Sequence, residues 1–481
     1  MGKTRINDRK GDNDMLLDKD RLFPTDPAVR NLARSLYDDI CDLPIISPHG
    51  HTDPRWFAEN KPFSDPAQLL VTPDHYVFRM LHSQGIPLEA MGVPREDGGK
   101  TEQDPRKIWR LFAENYYLFR ATPSRIWVDH VLQEVFGIYK PLSAETADEI
   151  YDHIDNCLTQ DAFRPRALFE QFNIEAISTT ESAIDDLKWH KLIQQSGWGG
   201  KVVTAYRPDA VIDPEFDGFA DNVQKLGEMA GEDTTTWQGY LAAHRNRRAF
   251  FKSFGSTSSD HGHPTARTEN FDPSVAANLF DKALRGECSA DEADAFRGHM
   301  LTEMARMSLD DGLVLQIHPG AARNHSDAIF TKFGRDKGYD IPSRTDYVNA
   351  LKPLLNAVGG EPDLTIIVFT LDESSYAREL APLAGVYPAL KLGPPWWFHD
   401  SYEGMMRFRE MATETAGFYN TVGFNDDTRA FCSIPARHDV ARRVDSAFLA
   451  TLVATGRLAE NDAREVSYDL AYRLAKQAYR L

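Results

Sequence analysis

Ser47-Pro48-His49-Gly50-His51-Thr52 follows the short apolar run Leu43-Pro44-Ile45-Ile46, so two imidazoles stand two positions apart where a strand should end. Residues i and i+2 of extended backbone share a face, and imidazole is a borderline-soft donor suited to zinc and its first-row neighbours. Both rings can therefore reach one ion, although such a pair taken alone is more often two turn histidines than a ligand pair. His318 ends a second apolar run, Leu313-Val314-Leu315-Gln316-Ile317, and could supply a third nitrogen. Asp427, in Asn425-Asp426-Asp427-Thr428-Arg429, follows a later run and offers either a carboxylate ligand or a base. Ligands delivered from the C-terminal ends of a first, a fifth and an eighth strand make a set for one divalent metal, with room for water or substrate.

Further groups cluster near the same strand ends. Asp74-His75-Tyr76-Val77-Phe78-Arg79 brings together an acid, an imidazole, a phenol and a guanidinium. Tyr76 could exchange a proton with a substrate hydroxyl; the alternative is a helix start that buries Tyr76 and Phe78. Arg207, in Tyr206-Arg207-Pro208-Asp209, and Arg429 can each offer a bidentate fork to a carboxylate. Trp396, in Trp396-Trp397-Phe398, could line a pocket against the apolar face of a sugar ring or could pack a loop base. A second pair, in Ser259-Asp260-His261-Gly262-His263-Pro264, has no apolar strand directly before it. His261 is therefore expected to be a substrate contact in a polar loop, and His263 a surface residue. The stretch from Leu364 to Tyr376 contains no histidine, which favours one metal over two.

These residues need a scaffold that gathers distant strand ends on one rim. After Ile45-Ile46, runs with strand character recur at Ala176-Ile177-Ser178-Thr179, Lys201-Val202-Val203-Thr204-Ala205, Ala249-Phe250-Phe251-Lys252, Leu313 to Ile317, Leu364-Thr365-Ile366-Ile367-Val368-Phe369, Ala389-Leu390-Lys391-Leu392 and Phe418-Tyr419-Asn420-Thr421-Val422. That makes eight, most of them separated by stretches long enough for a helix, as parallel β-α-β units require. The expected fold is α/β, a (β/α)8 TIM-type barrel over residues 15–481, with chemistry on the C-terminal face of its strands. Residues 60–171 carry helical spacing, for example Lys107 to Phe119 and Trp127 to Phe136, and are expected to form a helical insertion after the first strand, near the barrel mouth. Residues 1–14 are almost wholly polar and are expected to be a disordered leader. The tail from Arg442 to Leu481 reads as an amphipathic, solvated helix packed on the barrel.

Composition excludes several classes. With 42% hydrophobic and 26% charged residues the protein is of ordinary globular type, and its net charge of −18 is spread along its length. Nucleic acid and anionic lipid need clustered Lys and Arg, so neither is an expected partner, and an acidic substrate must be held by local cations. Cys41, Cys157, Cys288 and Cys432 form no CxxC pair, which argues against a zinc ribbon or a disulfide framework and for a reducing cytoplasm. Neither a signal-peptide core nor a long apolar run occurs, so the protein is expected to be neither exported nor membrane-anchored.

Taken together, the segments resemble the uronate isomerase family, also called glucuronate isomerase, a divergent branch of the amidohydrolase superfamily. The resemblance runs from about Leu16 to the end and rests on the order and spacing of His49-Gly50-His51, Asp74-His75-Tyr76, Thr179-Thr180 with Asp185-Asp186, Arg207-Pro208-Asp209, Ser259-Asp260-His261-Gly262, Gln316-Ile317-His318, Trp396-Trp397-Phe398 and Asp427-Thr428-Arg429. Many members carry a cysteine between the first two histidines and an aspartate shortly before them; Gly50 and Ser47 stand here instead. These departures leave the ligands in place but could alter metal preference. The resemblance implies one divalent metal, Zn2+, and interconversion of D-glucuronate with D-fructuronate and of D-galacturonate with D-tagaturonate through an enediolate. It also implies that His49, His51, His318 and Asp427 hold the metal, that Asp427 or a water on the metal handles protons with help from Tyr76, and that His75, Arg207, His261 and Arg429 grip the uronate. A homo-oligomer is compatible with the reading. The alternative is a mononuclear metal-dependent hydrolase on the same scaffold, since ligands identify an architecture better than a reaction.

Overall fold

The computed structural model describes residues 16–481, so the expected leader, residues 1–14, lies outside the described residues. Seven parallel strands follow one another in sequence order around a single curled sheet. They are β1 (Ile45–Ser47), β2 (Ile174–Ser182), β3 (Lys201–Arg207), β4 (Ser258–His261), β5 (Val314–Ile317), a sixth at Ile366–Val368 and a seventh at Leu390–Leu392. Every residue of β1, β4, β5 and the sixth strand is buried, as expected where helices cover one face and a filled barrel interior the other.

Two expected strands are corrected. Ala249 to Lys252 lies inside the helix Trp237–Ser253, where Phe251 and Arg247 share the buried face at four-residue spacing. The fourth strand is instead the polar segment Ser258–His261, which joins β3 only through Tyr206 opposite Ser259 but joins β5 along its whole length. Phe418 to Val422 is not a strand either. Only Thr421 makes a parallel bridge, to Leu392, supported by Leu392 N–H donating to Asn420 O (2.9 Å) and Val422 N–H donating to Leu392 O (3.1 Å). The backbone then crosses to the first strand, where His51 N–H donates to Thr428 O at 3.0 Å. Backbone hydrogen bonds thus complete the ring at the eighth position without a regular strand.

Between β1 and β2 lie several short helices, beginning with Pro54–Glu59 and ending with Pro165–Gln171. Asp-Pro starts recur: Asp53, Asp65 and Asp104 each accept a first-turn backbone N–H, with proline just inside the helix. The aromatic core of this region, including Phe57, Trp109, Phe112 and Phe119, is continuous with Phe431 and Ile434, a few residues beyond Asp427. The tail is not the solvated helix expected from its alternating charges. Arg442, Arg443 and Asp445 are buried in the helix Ile434–Ala454, and the Arg442 guanidinium donates to the carbonyls of Cys41, Leu43 and Pro44, fixing the approach to β1. Among the described residues, no helix is long and apolar enough to cross a membrane.

Candidate active site and metal centre

A cavity of about 630 Å³ opens at the C-terminal ends of the strands. It is lined by His49 and His51 after β1, His75 and Tyr76 from the helix His75–Ser83, Arg207 at the end of β3, His318 after β5, Trp396 after the seventh strand, and Asp427 and Arg429 from the ring-closing segment. Backbone conformation helps to aim these groups. Asp427 has φ +39°, Trp397 +55° and Asp336 +59°, left-handed values that cost a residue with a Cβ, and all three line the cavity.

At the floor, His49 Nε2 and His51 Nε2 lie 3.5 and 3.2 Å from the same oxygen, Asp427 Oδ1. Burial alone would raise the Asp427 carboxyl, but the imidazoles of His49 and His51 hold it well below the usual carboxylate range. The neighbouring Asp426 faces away and is bound by His438 Nε2 at 3.0 Å, so the two adjacent carboxylates have separate tasks.

His318 stacks on His49 with ring centroids 4.7 Å apart and is grouped by its ligand atoms with His49 and Asp260. His318 Nδ1 and Asp260 Oδ1 approach to 2.7 Å. Even so, both His318 nitrogens, both Asp260 oxygens and His49 Nδ1 are buried without an aligned hydrogen-bond partner. Of these, His318 Nε2 and His49 Nδ1 have no ion-pair contact either, and a buried polar atom left so costs about 1–3 kcal/mol, a cost a shared cation removes. The residues therefore fit a divalent metal, with two overlapping ligand groups, His49-His51-Asp427 and His49-Asp260-His318, meeting at His49.

The wall above is cationic and aromatic. Arg429 Nη2 contacts Asp336 Oδ2 at 3.0 Å. Arg207 reaches Asp209 through Nε (2.9 Å) and Asp260 through Nη1 (3.0 Å). Burial works against the Arg207 charge, but those two carboxylates hold it ionised. Asp74 caps the helix through Tyr76 N–H at 2.8 Å, so the helix start and the cavity position of Tyr76 are one arrangement. Burial raises the Tyr76 phenol far above its ordinary range and holds it protonated; burial, with Arg429 nearby, pushes the His75 imidazole down. His75 stacks on Trp397 at 4.3 Å, and Trp396 stands edge-on to His318 at 5.0 Å.

His261 is a correction. It ends β4, is fully buried, and does not line the cavity, so it is not placed to touch a substrate there. His263 is not a surface residue but a buried one on the cavity wall. Sequence reasoning gave no role to Asp260, Asp209 or Asp336, all of which line the cavity. Asp260 sits in a strand of Ser, Ser, Asp and His, which carries no apolar signal; its one marker is that it follows two small polar residues and precedes a His-x-His pair.

Comparison with known proteins places nearly the whole length in one family. The family model described as glucuronate isomerase matches residues 26–479. A uronate isomerase of Mesorhizobium japonicum is 68% identical over 466 residues, covering 97% of this chain and 99% of that protein. The crystal structure of glucuronate isomerase from Caulobacter crescentus is 59% identical, covers 96% of this chain and 97% of its own, and superposes with a TM-score of 0.95. The uronate isomerase structure from Thermotoga maritima, at 28% identity, covers 97% of this chain and all of its own, with a TM-score of 0.89.

Proposed function

Because this protein belongs to the glucuronate isomerase family, we propose that its cavity takes up D-glucuronate in the ring-opened form and converts it to D-fructuronate. The protein is an isomerase, and D-galacturonate, which differs at a carbon remote from the reacting pair, would pass to D-tagaturonate by the same exchange. The observation that carries the reading is the convergence of His49, His51 and Asp427 beneath the cations Arg207 and Arg429 in one cavity. That pairing suits a substrate with a carbonyl-hydroxyl pair at one end and a carboxylate at the other.

His49, His51 and Asp427 would hold the metal, with His318 and Asp260 alongside, and their nitrogen-rich donor set suits zinc. When bound, a divalent ion stabilises the negative charge that develops on oxygen. Arg429 and Arg207 grip the uronate carboxylate and neighbouring hydroxyls, and His75 and Trp396 frame the carbon backbone of the sugar. Asp427, ionised and free of a proton, accepts the proton leaving C2, and an enediolate forms. The same proton returns to C1 while the O2 proton passes to O1, so bonds and charge balance. Tyr76, held protonated, donates a hydrogen bond to the oxygen that carries the charge. Four widely spaced cysteines without a CxxC pair suit a cytoplasmic setting.

Incubation of metal-loaded protein with D-glucuronate is expected to yield a ketose, and the same equilibrium mixture should arise from D-fructuronate. Asp427→Asn, which loses a negative ligand and the base together, should reduce turnover by about 10²- to 10⁴-fold with an unchanged circular dichroism spectrum. Absence of ketose alongside turnover of a lactone or amide would overturn the isomerase reading, and near-normal activity of Asp427→Asn would remove that residue from the mechanism.

A further inference from the structure

A third ligand group, sharing no residue with the two that meet at His49, borders the same cavity. His261 ends β4 and His263 follows two residues later, while Asp209 follows β3; one ligand atom of each falls within 4.8 Å of the others. The two rings meet edge-on, with centroids 5.7 Å apart and planes at 85°. Both side chains are buried, at 0% and 3% exposure, yet His261 Nδ1 and His263 Nε2 have no hydrogen-bond partner. Two unpaired imidazole nitrogens in a protein interior are costly unless something accepts their lone pairs.

We propose that Asp209, His261 and His263 form a second divalent-cation site, mononuclear and distinct from the one at His49, His51 and Asp427. Two imidazoles and one carboxylate favour zinc or its first-row neighbours over magnesium or calcium, which prefer all-oxygen shells. Asp209 accepts from Gly262 N–H at 3.1 Å and from Arg207 Nε at 2.9 Å, but a carboxylate offers about four acceptor positions, so capacity is left.

The local charge also favours a dication. Arg297 contacts Asp213, Glu215 and Asp294, at 2.6, 2.8 and 3.3 Å. Arg207 contacts both Asp209 and Asp260, so carboxylates outnumber guanidinium groups around the two histidines, and His263 feels Asp209, Asp213 and Asp294 as well as Arg297.

Asp209 and His263 border the cavity, which supplies an entry path and leaves open coordination positions facing the substrate space. Arg207 stands between the two ligand groups, with Nε on Asp209 and Nη1 on Asp260. Its positive charge keeps two cations from sharing a bridging ligand, so the sites fill independently.

The test is metal stoichiometry, which does not depend on turnover. Untagged full-length protein, stripped with chelator, is dialysed against Zn2+ and measured by elemental analysis beside His263→Gln and Asp427→Asn. The wild type should hold one equivalent more than His263→Gln, and Asp427→Asn should keep the equivalent that His263→Gln loses. Equal zinc content in wild type and His263→Gln would overturn the proposal, whatever happens at the first site. Asp209→Asn gives a second reading of the same loss if His263→Gln does not fold, and zinc retained at the wild-type level there would likewise overturn it.

Discussion

Glu181, near the end of β2, illustrates how one buried carboxyl can govern the response of the whole protein to pH. Its carboxylate accepts from the hydroxyls of Thr179 and Thr204 on the outer side of the sheet, and burial pushes its pKa up to about 7. The sign follows from linkage. An unfolded glutamate titrates near 4.3, so the native state binds the proton more tightly, the stabilisation is complete below that value, and it is lost as pH rises through about 7. Ionising the buried group costs on the order of 3 kcal/mol. Glu181→Gln keeps an acceptor for the threonines and removes the charge, so its melting temperature should exceed that of the wild type at pH 8 and converge with it near pH 4.5; parallel pH profiles for the two proteins would refute this. Nothing in the sequence marks Glu181, because a lone acid in a strand resembles any solvated one. His49, His51 and His318 were legible because each follows an apolar run that marks a strand end, and Asp427 because it follows Phe418 to Val422, a run with strand character that forms only a bridge. Asp260 was not, because its strand has no such run, and its place beside His318 exists only after the sheet forms.

At the scale of elements, what could be read tracked hydrophobicity. β2, β3 and β5 contain the β-branched runs that announced them, whereas Ser258–His261 is a strand because its neighbours make it one, pairing with β5 over four residues. The aromatic run at Ala249 misled for the converse reason: four residues fit a strand or one helical turn, and the longer pattern around it decides. The segment Gly334-Arg335-Asp336-Lys337-Gly338 escaped any reading and yet bears on the cavity. Gly334, Asp336 and Gly338 all have φ between 59° and 80°, a tightly coiled loop that brings a carboxylate to Arg429. A Cβ on Gly338 would stand 2.8 Å from the Arg79 side chain and 3.3 Å from the His75 carbonyl oxygen, so the loop lies close against that helix. Asp336 therefore occupies the fork that a uronate carboxylate would take. A half-exposed ion pair is worth about 0.2–1 kcal/mol, so freeing Arg429 should lower KM by a factor of about 1.4 to 5 in Asp336→Asn, with kcat little changed. A raised KM in steady-state assays would mean instead that Asp336 helps to hold the substrate.

For the molecule as a whole, the barrel count was legible as eight positions, but the means of closure was not. The eighth position is one bridge and a few backbone hydrogen bonds, and a tyrosine from the far end of the sequence secures it from below. Tyr479 is fully buried; its hydroxyl donates to Gln316 Oε1 at 3.0 Å and accepts from Asn425 Nδ2 at 2.7 Å. Gln316 stands two residues before His318 and Asn425 two before Asp427. One phenol thus ties β5 to the ring-closing segment directly beneath two groups of the candidate metal centre, a link that hydropathy could not reveal because it joins polar atoms 163 and 54 residues apart. Tyr479→Phe keeps the packing and leaves the two amides short of a partner, a loss of about 1–3 kcal/mol. The thermal midpoint should fall accordingly. Because the ring would slacken where Asp427 is aimed, kcat should drop more than KM rises, and added zinc should restore less of the lost activity than it restores of the lost stability. Equal melting curves and equal kcat for Tyr479→Phe and wild type would show that the ring closes without this tie, and that the left-handed turn at Asp427 is held by its own segment alone.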